Sequence, residues 1–460
     1  MIKRTVSEIA AMLGLPSAPG WERIQVRGVS TDSRTLQPGN LYIPIPGVRY
    51  NGHHFAAQAA ERKASALLWN RNEPNPPEHL PVLIVDDTVA AMQKLAAAYR
   101  RQLGVRVCGI TGSNGKTSTK DMLASVLSMK YKTHKTEGNL NNHIGVPLTL
   151  LAMEEDTEFA VIEMGMSSLG EIRLLSSLAK PDFAIITNTS EVHLGDLLTR
   201  ERIVQAKLEI AESLTASGLL LYNGDVVRLK RAIEERKLPC PAFSFGLGAA
   251  NDIAADEVRV TSDGVVFRTN EASFAVPVLG KHQAVNALAA VACARLAGLS
   301  DEWIREGLAQ VRLTGMRNEW IQAGGLAIIN DTYKSNPSSV RAALDLLYTL
   351  GPYKRKIAVL GEMAELGEES EQLHREIGLE IDPAQIEYLF TIGPMARHIA
   401  AAAKTRLAEE NIFHCEDREQ LTERLKTVIA DNTLLLVKGS RKLELEQAVD
   451  SLKRWAAGER

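Results

Sequence analysis

Hydrophobic and polar residues along this chain repeat with two different periods, and the two alternate. Val6 to Leu13 has helical spacing, and a longer helical pattern runs from about Thr88 to Leu103. Met122, Leu123, Val126 and Leu127 mark another helix, and Glu201 to Leu214 predicts a further one. The alanine-rich run Ile399 to Ala403 reads as helix rather than linker. Between these lie short apolar runs with strand character: Leu41 to Ile45, Ala66 to Trp69, Val82 to Val85, Val105 to Cys108, Phe159 to Gly165, Phe183 to Thr187 and Leu219 to Asp225. Asn72-Glu73-Pro74-Asn75-Pro76-Pro77 breaks the pattern, because consecutive prolines continue neither element.

The strands after Val105 are apolar on both faces, which suits a parallel sheet covered by helices. That alternation runs to about Leu313. It restarts near Thr314 with Leu326 to Asn330, Lys356 to Leu360, Tyr388 to Ile392 and Leu434 to Lys438, in the manner of an open doubly wound sheet. The class is α/β. At 460 residues the chain exceeds one core, and three units are expected at 1–84, 85–313 and 314–460.

Composition narrows the function classes. Apolar content of 45% and charged content of 24% are ordinary for a globular protein. A net charge of −3 carries no nucleic-acid footprint. Apolar runs stay short of the roughly 18 residues of a membrane span, and the first residues lack the apolar core of a signal peptide. Cys108, Cys240, Cys293 and Cys415 have no metal spacing and read as buried free thiols. A cytoplasmic enzyme fits, with a monomer favoured.

The chemistry concentrates after the strand at Val105. Gly109 to Ser118 reads Gly-Ile-Thr-Gly-Ser-Asn-Gly-Lys-Thr-Ser and leads into a helix. Strand, glycine loop, Lys-Thr and helix form a phosphate cradle, although Ile110 stands where the strict motif has glycine. Gly112, Ser113, Asn114, Gly115, Lys116, Thr117 and Ser118 are therefore expected to bind ATP. Lys116 would meet the outer phosphates, and the Thr117 hydroxyl would reach Mg²⁺. Glu163 ends its strand on the edge where parallel sheets bind ligands, and suits a magnesium ligand. His193 follows the next strand end on the same edge. Lys207, by spacing alone, reads as a surface lysine beside a surface Glu209.

These motifs resemble those of the Mur ligases of peptidoglycan synthesis, over essentially the whole chain. The resemblance implies an N-terminal UDP-binding domain, a central ATPase domain and a C-terminal Rossmann-like domain. It implies Glu163 and His193 as metal-binding residues and Lys207 as a carbamylated lysine that helps hold Mg²⁺. Asn286, in Gly280-Lys281-His282-Gln283-Ala284-Val285-Asn286, matches an adenine contact. Arg317 and Asp331 match residues that close over ATP from the third domain. Val29-Ser30-Thr31-Asp32-Ser33-Arg34 resembles the uridine-diphosphate site, giving Ser30, Thr31, Ser33 and Arg34. Asn139, Asn141 and Asn142 lie in a loop similar to one that contacts the muramoyl substrate.

Three further runs resemble the member of the family that adds D-alanyl-D-alanine to UDP-N-acetylmuramoyl-tripeptide: Asp331 to Pro337, Val359 to Gly367 with His374 after it, and Val437 to Arg441. They imply Asn336, Lys438, Ser440 and Arg441 as substrate contacts. Lys334 and Glu362 depart from the usual asparagine and aspartate, and Lys334 receives no role. The expected reaction proceeds through an acyl phosphate, with ATP, Mg²⁺ and the two substrates as partners and either lysine or meso-diaminopimelate third in the tripeptide. A folylpolyglutamate synthase shares the loop but lacks the Ser-Thr-Asp-Ser-Arg segment. A nucleotide-dependent switch leaves Glu163, His193 and Lys438 to Arg441 without work.

Overall fold

The glycine loop grows from the strand Arg106–Thr111, an interior strand, third from one edge, of a seven-stranded, all-parallel sheet. This computed structural model describes residues 1–47, 50–191, 194–261, 263–270 and 272–458. Across the sheet the strands run Ile253–Ala254, Ala242–Gly246, Leu219–Asn223, Phe183–Ile186, Arg106–Thr111, Phe159–Glu163 and Thr133–Lys135. Successive residues feed opposite faces. Val107, Ala160, Ile162, Ala184 and Ile186 enter one core, while Cys108, Ile110, Phe159, Val161 and Ile185 enter the other. That is why these segments read as unbroken apolar runs.

The loop strand has Phe159–Glu163 on one side and Phe183–Ile186 on the other. Chain order therefore reverses direction at this strand, and a crevice opens beyond its carboxyl end. Toward the chain start, a four-stranded parallel sheet comprises Val29–Ser30, Leu41–Tyr42, Ala66–Asn70 and Val82–Val85. Toward the chain end, a six-stranded sheet runs Glu319–Ala323, Leu326–Asp331, Thr433–Lys438, Arg355–Gly361, Tyr388–Ile392 and Ile412–Cys415, antiparallel only at its first pair. The helix Thr88–Gln102 belongs to a core continuous from Ile2, Val6 and Ile9 to Leu150 and Leu175, so the first two sheets share apolar packing.

Several expectations need correction. The strand expected at Leu41 to Ile45 pairs only over Leu41–Tyr42, since Pro44 has no amide hydrogen for a ladder. The helix expected over Glu201 to Leu214 is α-helical over Arg200–Leu208 and tightens to a 3₁₀ turn over Glu209–Ser213. Alternation between Val105 and Leu313 is interrupted by a three-stranded antiparallel sheet, Asp256–Thr261, Gly264–Thr269 and Ala272–Val276. Its inward residues Val265, Phe267, Phe274 and Val276 carry a period of two that sequence reading passed over. Cys108, Cys293 and Cys415 are buried free thiols as expected, but Cys240 is only half-buried. Among the described residues no helix is long and apolar enough to cross a membrane.

His374, on the helix Ser370–Leu379, fastens the loop that follows Arg355–Gly361. Its Nε2 accepts the Met363 amide at 2.9 Å and its Nδ1 faces the Ser370 carbonyl at 2.7 Å, so the neutral Nδ1–H tautomer satisfies both. Burial holds its pKa below the ordinary histidine value, and protonation would cost the Met363 bond. The stability is present above the unfolded-state value near 6.5 and is lost as pH falls from there toward the folded value. We expect the thermal midpoint to fall between pH 7.5 and 5.5, by an amount matching at most about 1.4 kcal/mol. His374→Gln should flatten that pH dependence in parallel melts.

Candidate active site

Two glycines give the loop its shape. Gly112 and Gly115 have φ of 149° and 80°, conformations that side chains resist. A Cβ on Gly112 would lie 2.0 Å from Thr187 Oγ1, and one on Gly115 would lie 2.3 Å from Asn286 Oδ1. The strand end beyond Phe183–Ile186 braces the loop. Asn188 Oδ1 accepts the amides of Ser113 (3.1 Å) and Asn114 (2.8 Å), and the Thr187 hydroxyl donates to the Asn114 carbonyl at 2.5 Å. The helix Lys116–Leu127 begins at Gly115, which offers no side-chain cap, so its first turn faces the cavity with its amides and positive dipole end.

Lys116 donates to the carbonyls of Gly112 (2.6 Å) and Ser113 (3.2 Å). Burial, reinforced by the Lys334 charge, lowers its pKa to about 8. Thr117 Oγ1 donates to Glu163 Oε2 at 2.8 Å, and Asn141 Nδ2 donates to Glu163 Oε1 at 2.7 Å. Glu163 is 2% exposed, and these partners carry no charge to balance it. His193 lies outside the described residues. Lys207 is not the surface lysine that spacing suggested. It is 1% exposed, and burial with the charges of Lys116 and Lys334 pushes its pKa well down. Glu209 is buried too, and accepts the amides of Gly170 and Arg173 at the start of the helix Glu171–Ala179.

The C-terminal sheet closes the other side of a cavity of about 850 Å³. Asn139, Asn141, Asn142, Asn286, Arg317, Asp331, Lys438, Ser440 and Arg441 all line it with the loop. Arg317 lies over the Tyr333 ring, 3.9 Å from its centroid, and its buried Nη1 has no hydrogen-bond partner among the described residues. Among the described residues the buried hydroxyls of Ser335 and Ser440, at the cavity wall, are also without a hydrogen-bond partner. Such groups are costly unless a ligand meets them. Asp331 and Lys438 form an ion pair at 2.6 Å, with Lys438 1% exposed.

Other expected site residues lie elsewhere. Asn336 is fully buried off the cavity. It exchanges hydrogen bonds with Asn114 (2.7 and 3.1 Å) and caps the helix Pro337–Thr349. This clasp joins the phosphate loop to the C-terminal unit. Ser30, Thr31, Ser33 and Arg34 stand apart from the cavity, with Arg34 bound to Asp32 at 2.7 Å and Ser33 to Gln58 at 2.6 Å. Sequence reading missed Asn188, Tyr333 and Ser335. Asn188, just past an apolar strand end, carried a usable signal, whereas Tyr333 and Ser335 gain meaning only from the cavity.

Gly115→Ala tests the loop geometry. Strain at φ 80° and the clash with Asn286 should weaken ADP binding about tenfold or more in calorimetry.

Comparison with known proteins extends the same picture over the whole chain. Family models match in order: "Mur ligase family, catalytic domain" over residues 25–100, "Mur ligase middle domain" over 110–294 and "Mur ligase, glutamate ligase domain" over 316–441. The UDP-N-acetylmuramoyl-tripeptide--D-alanyl-D-alanine ligase of Bacillus subtilis is 45% identical over 98% of this chain and 99% of its own. The Escherichia coli enzyme of that name is 36% identical over the same shares. A crystal structure of MurF from Acinetobacter baumannii superposes with a TM-score of 0.87 at 28% identity, covering 99% of both chains. MurF ligase from Thermotoga maritima in complex with ADP gives 0.83 at 25% identity, covering 95% and 99%. With three models in chain order and relatives matched almost end to end, this chain belongs to the Mur ligase family.

Proposed function

We propose that this chain uses ATP to join D-alanyl-D-alanine to UDP-N-acetylmuramoyl-tripeptide, a step of peptidoglycan precursor synthesis. The observation that carries the reading is the meeting, across one cavity, of the phosphate loop and the Arg317 guanidinium, whose buried Nη1 has no hydrogen-bond partner among the described residues. It occurs in a chain similar throughout to ligases of that name.

In this reading the terminal carboxylate of the tripeptide attacks the γ-phosphorus of ATP. The bond to the β–γ bridging oxygen breaks, ADP leaves, and an acyl phosphate remains. The dipeptide amine, having lost its proton, attacks the acyl carbon, and the tetrahedral intermediate expels phosphate to leave the amide. A carboxylate and a triphosphate repel each other, so the site must supply opposing charge. Lys116 and the first-turn amides of Lys116–Leu127 hold phosphate oxygens from one side, and Arg317 from the other. Asn286 lies beside the loop for the adenine, and Asp331 holds Lys438 in the wall. Asn139, Asn141 and Asn142 take the muramoyl substrate, and Lys438, Ser440 and Arg441 the dipeptide. Ser30, Thr31, Ser33 and Arg34 serve the uridine diphosphate.

The donor set fits a hard divalent cation. Thr117 and the buried carboxylate of Glu163, whose hydrogen-bond partners Thr117 and Asn141 are neutral, supply oxygen donors in contact. These residues, with His193, would hold Mg²⁺, which supplies positive charge opposite the phosphates when bound. Lys207 is buried, and burial with the nearby charges of Lys116 and Lys334 outweighs the attraction of Glu171 and Glu209, which favours the neutral amine that adds to carbon dioxide. Carbamylation would turn it into an anion able to help hold the cation.

The direct test measures phosphate release from ATP with Mg²⁺, UDP-N-acetylmuramoyl-tripeptide and D-alanyl-D-alanine, omitting each in turn. Both the lysine and the meso-diaminopimelate tripeptides should be tried. Release needing both substrates, with a UDP-pentapeptide by mass, is expected; release indifferent to the dipeptide would overturn the reading. Arg317→Ala should lower kcat about 10²-fold while leaving the ADP dissociation constant within about threefold by calorimetry.

A further inference from the structure

One buried charge cluster lies outside the chemistry above. On the loop helix, Asp121 is 3% exposed and Lys120 is fully buried, although neither lines the cavity. Asp121 Oδ1 accepts from Lys120 Nζ and from Lys135 Nζ, each at 2.9 Å. Its Oδ2 accepts both the backbone amide and the hydroxyl of Thr314, each at 2.9 Å. Burial alone would raise the pKa of this carboxyl, but the two ammoniums and the Thr314 amide hold it below the ordinary aspartate value.

Thr314 is on the connection between the helix Asp301–Ala309 and the strand Glu319–Ala323, where the chain leaves the ATP-loop unit for the C-terminal sheet. Three residues later comes Arg317. The backbone between is tightly shaped: Met316 and Asn318 both have left-handed φ, 61° and 49°. Asn318 is also held by His282 at 2.9 Å. On its other side the cluster reaches the metal-facing strand. Lys120 Nζ donates to the Thr136 carbonyl at 2.8 Å, and the Thr136 hydroxyl accepts the Glu163 amide at 2.9 Å. One carboxylate thus ties together the helix carrying Thr117, the segment supporting Glu163 and the linker carrying Arg317.

We propose that Asp121 is a positioning residue that seats the interdomain linker through Thr314, so that Arg317 meets the phosphates held by the loop. The proposal rests on the ligase reading. A charged, fully engaged anchor suits a pivot, because the bond pair to Thr314 fixes both the place and the direction of the linker. Motion of the C-terminal unit then turns about a defined point instead of displacing Arg317 from the loop.

The test uses the full-length protein. Thr314→Val removes one donor and should lower kcat about fivefold, and Asp121→Asn about twentyfold or more. Thr314→Ser, which keeps both donors, should retain the wild-type rate. The double variant should be no slower than Asp121→Asn by more than about twofold, since both changes break one coupling. ADP affinity by calorimetry and KM for the UDP substrate should stay within about twofold throughout. Hydrogen exchange of the linker around residues 312–318 should accelerate in both single variants, and this readout does not depend on turnover. A wild-type rate in Thr314→Val, multiplicative losses in the double variant, or unchanged linker exchange would each overturn the proposal. Should Asp121→Asn fail to fold, the Thr314 pair decides alone. Absence of product from the wild-type protein would instead defeat the ligase reading, with linker exchange still reporting on the anchor.

Discussion

The site depends on one constraint: a backbone loop must come close enough to polyphosphate to bind it through amides, with no side chain in the way. Gly112 and Gly115 meet it, one against Thr187 and the other against Asn286. Because contact on both sides is so close, the loop can be placed only where neighbouring elements stop at the same level. The parallel sheet provides this where chain direction reverses beside Arg106–Thr111. Glu163 and Asn188 then arrive from the two flanking strand ends, one to accept the Thr117 hydroxyl and one to brace the loop.

Charge is the second organising feature. Lys116, Lys207 and Arg317 are drawn together with limited compensation, an arrangement that water would ordinarily relieve. Such a site is poor at stabilising the free protein and well suited to an anion that brings several negative charges at once. Lys438 shows the contrast: its buried charge is balanced by Asp331, and it forms part of the wall. The Asn114–Asn336 clasp and the Asp121–Thr314 anchor both join the loop unit to the C-terminal unit.

Much of the architecture was legible in linear order. Val6–Leu13, Val82–Val85 and Tyr388–Ile392 have the bounds that periodicity predicts, because each makes its own local pattern of burial. The misreadings have identifiable causes. Strand character at Leu41 to Ile45 was curtailed by Pro44, and the helix after Glu201 tightened where Glu209 turned inward to cap another helix. The antiparallel strands from Asp256 to Val276 were passed over although their alternation was present.

The sequence by itself determined the α/β class, the phosphate loop and the strand-end position of Glu163, since each depends on neighbours a few residues away. Resemblance supplied Asn286 and Arg317, whose roles no local pattern announces. The tertiary structure alone decided that Lys207 is buried, that Arg317 stacks on Tyr333 with an unpaired nitrogen, and that Asn336 grips Asn114. It likewise made Asp121, an acid beside a lysine on a helix, the partner of Thr314. Burial and pairing across 193 to 222 positions of chain are set by how helices and sheets pack, and spacing carries no record of that.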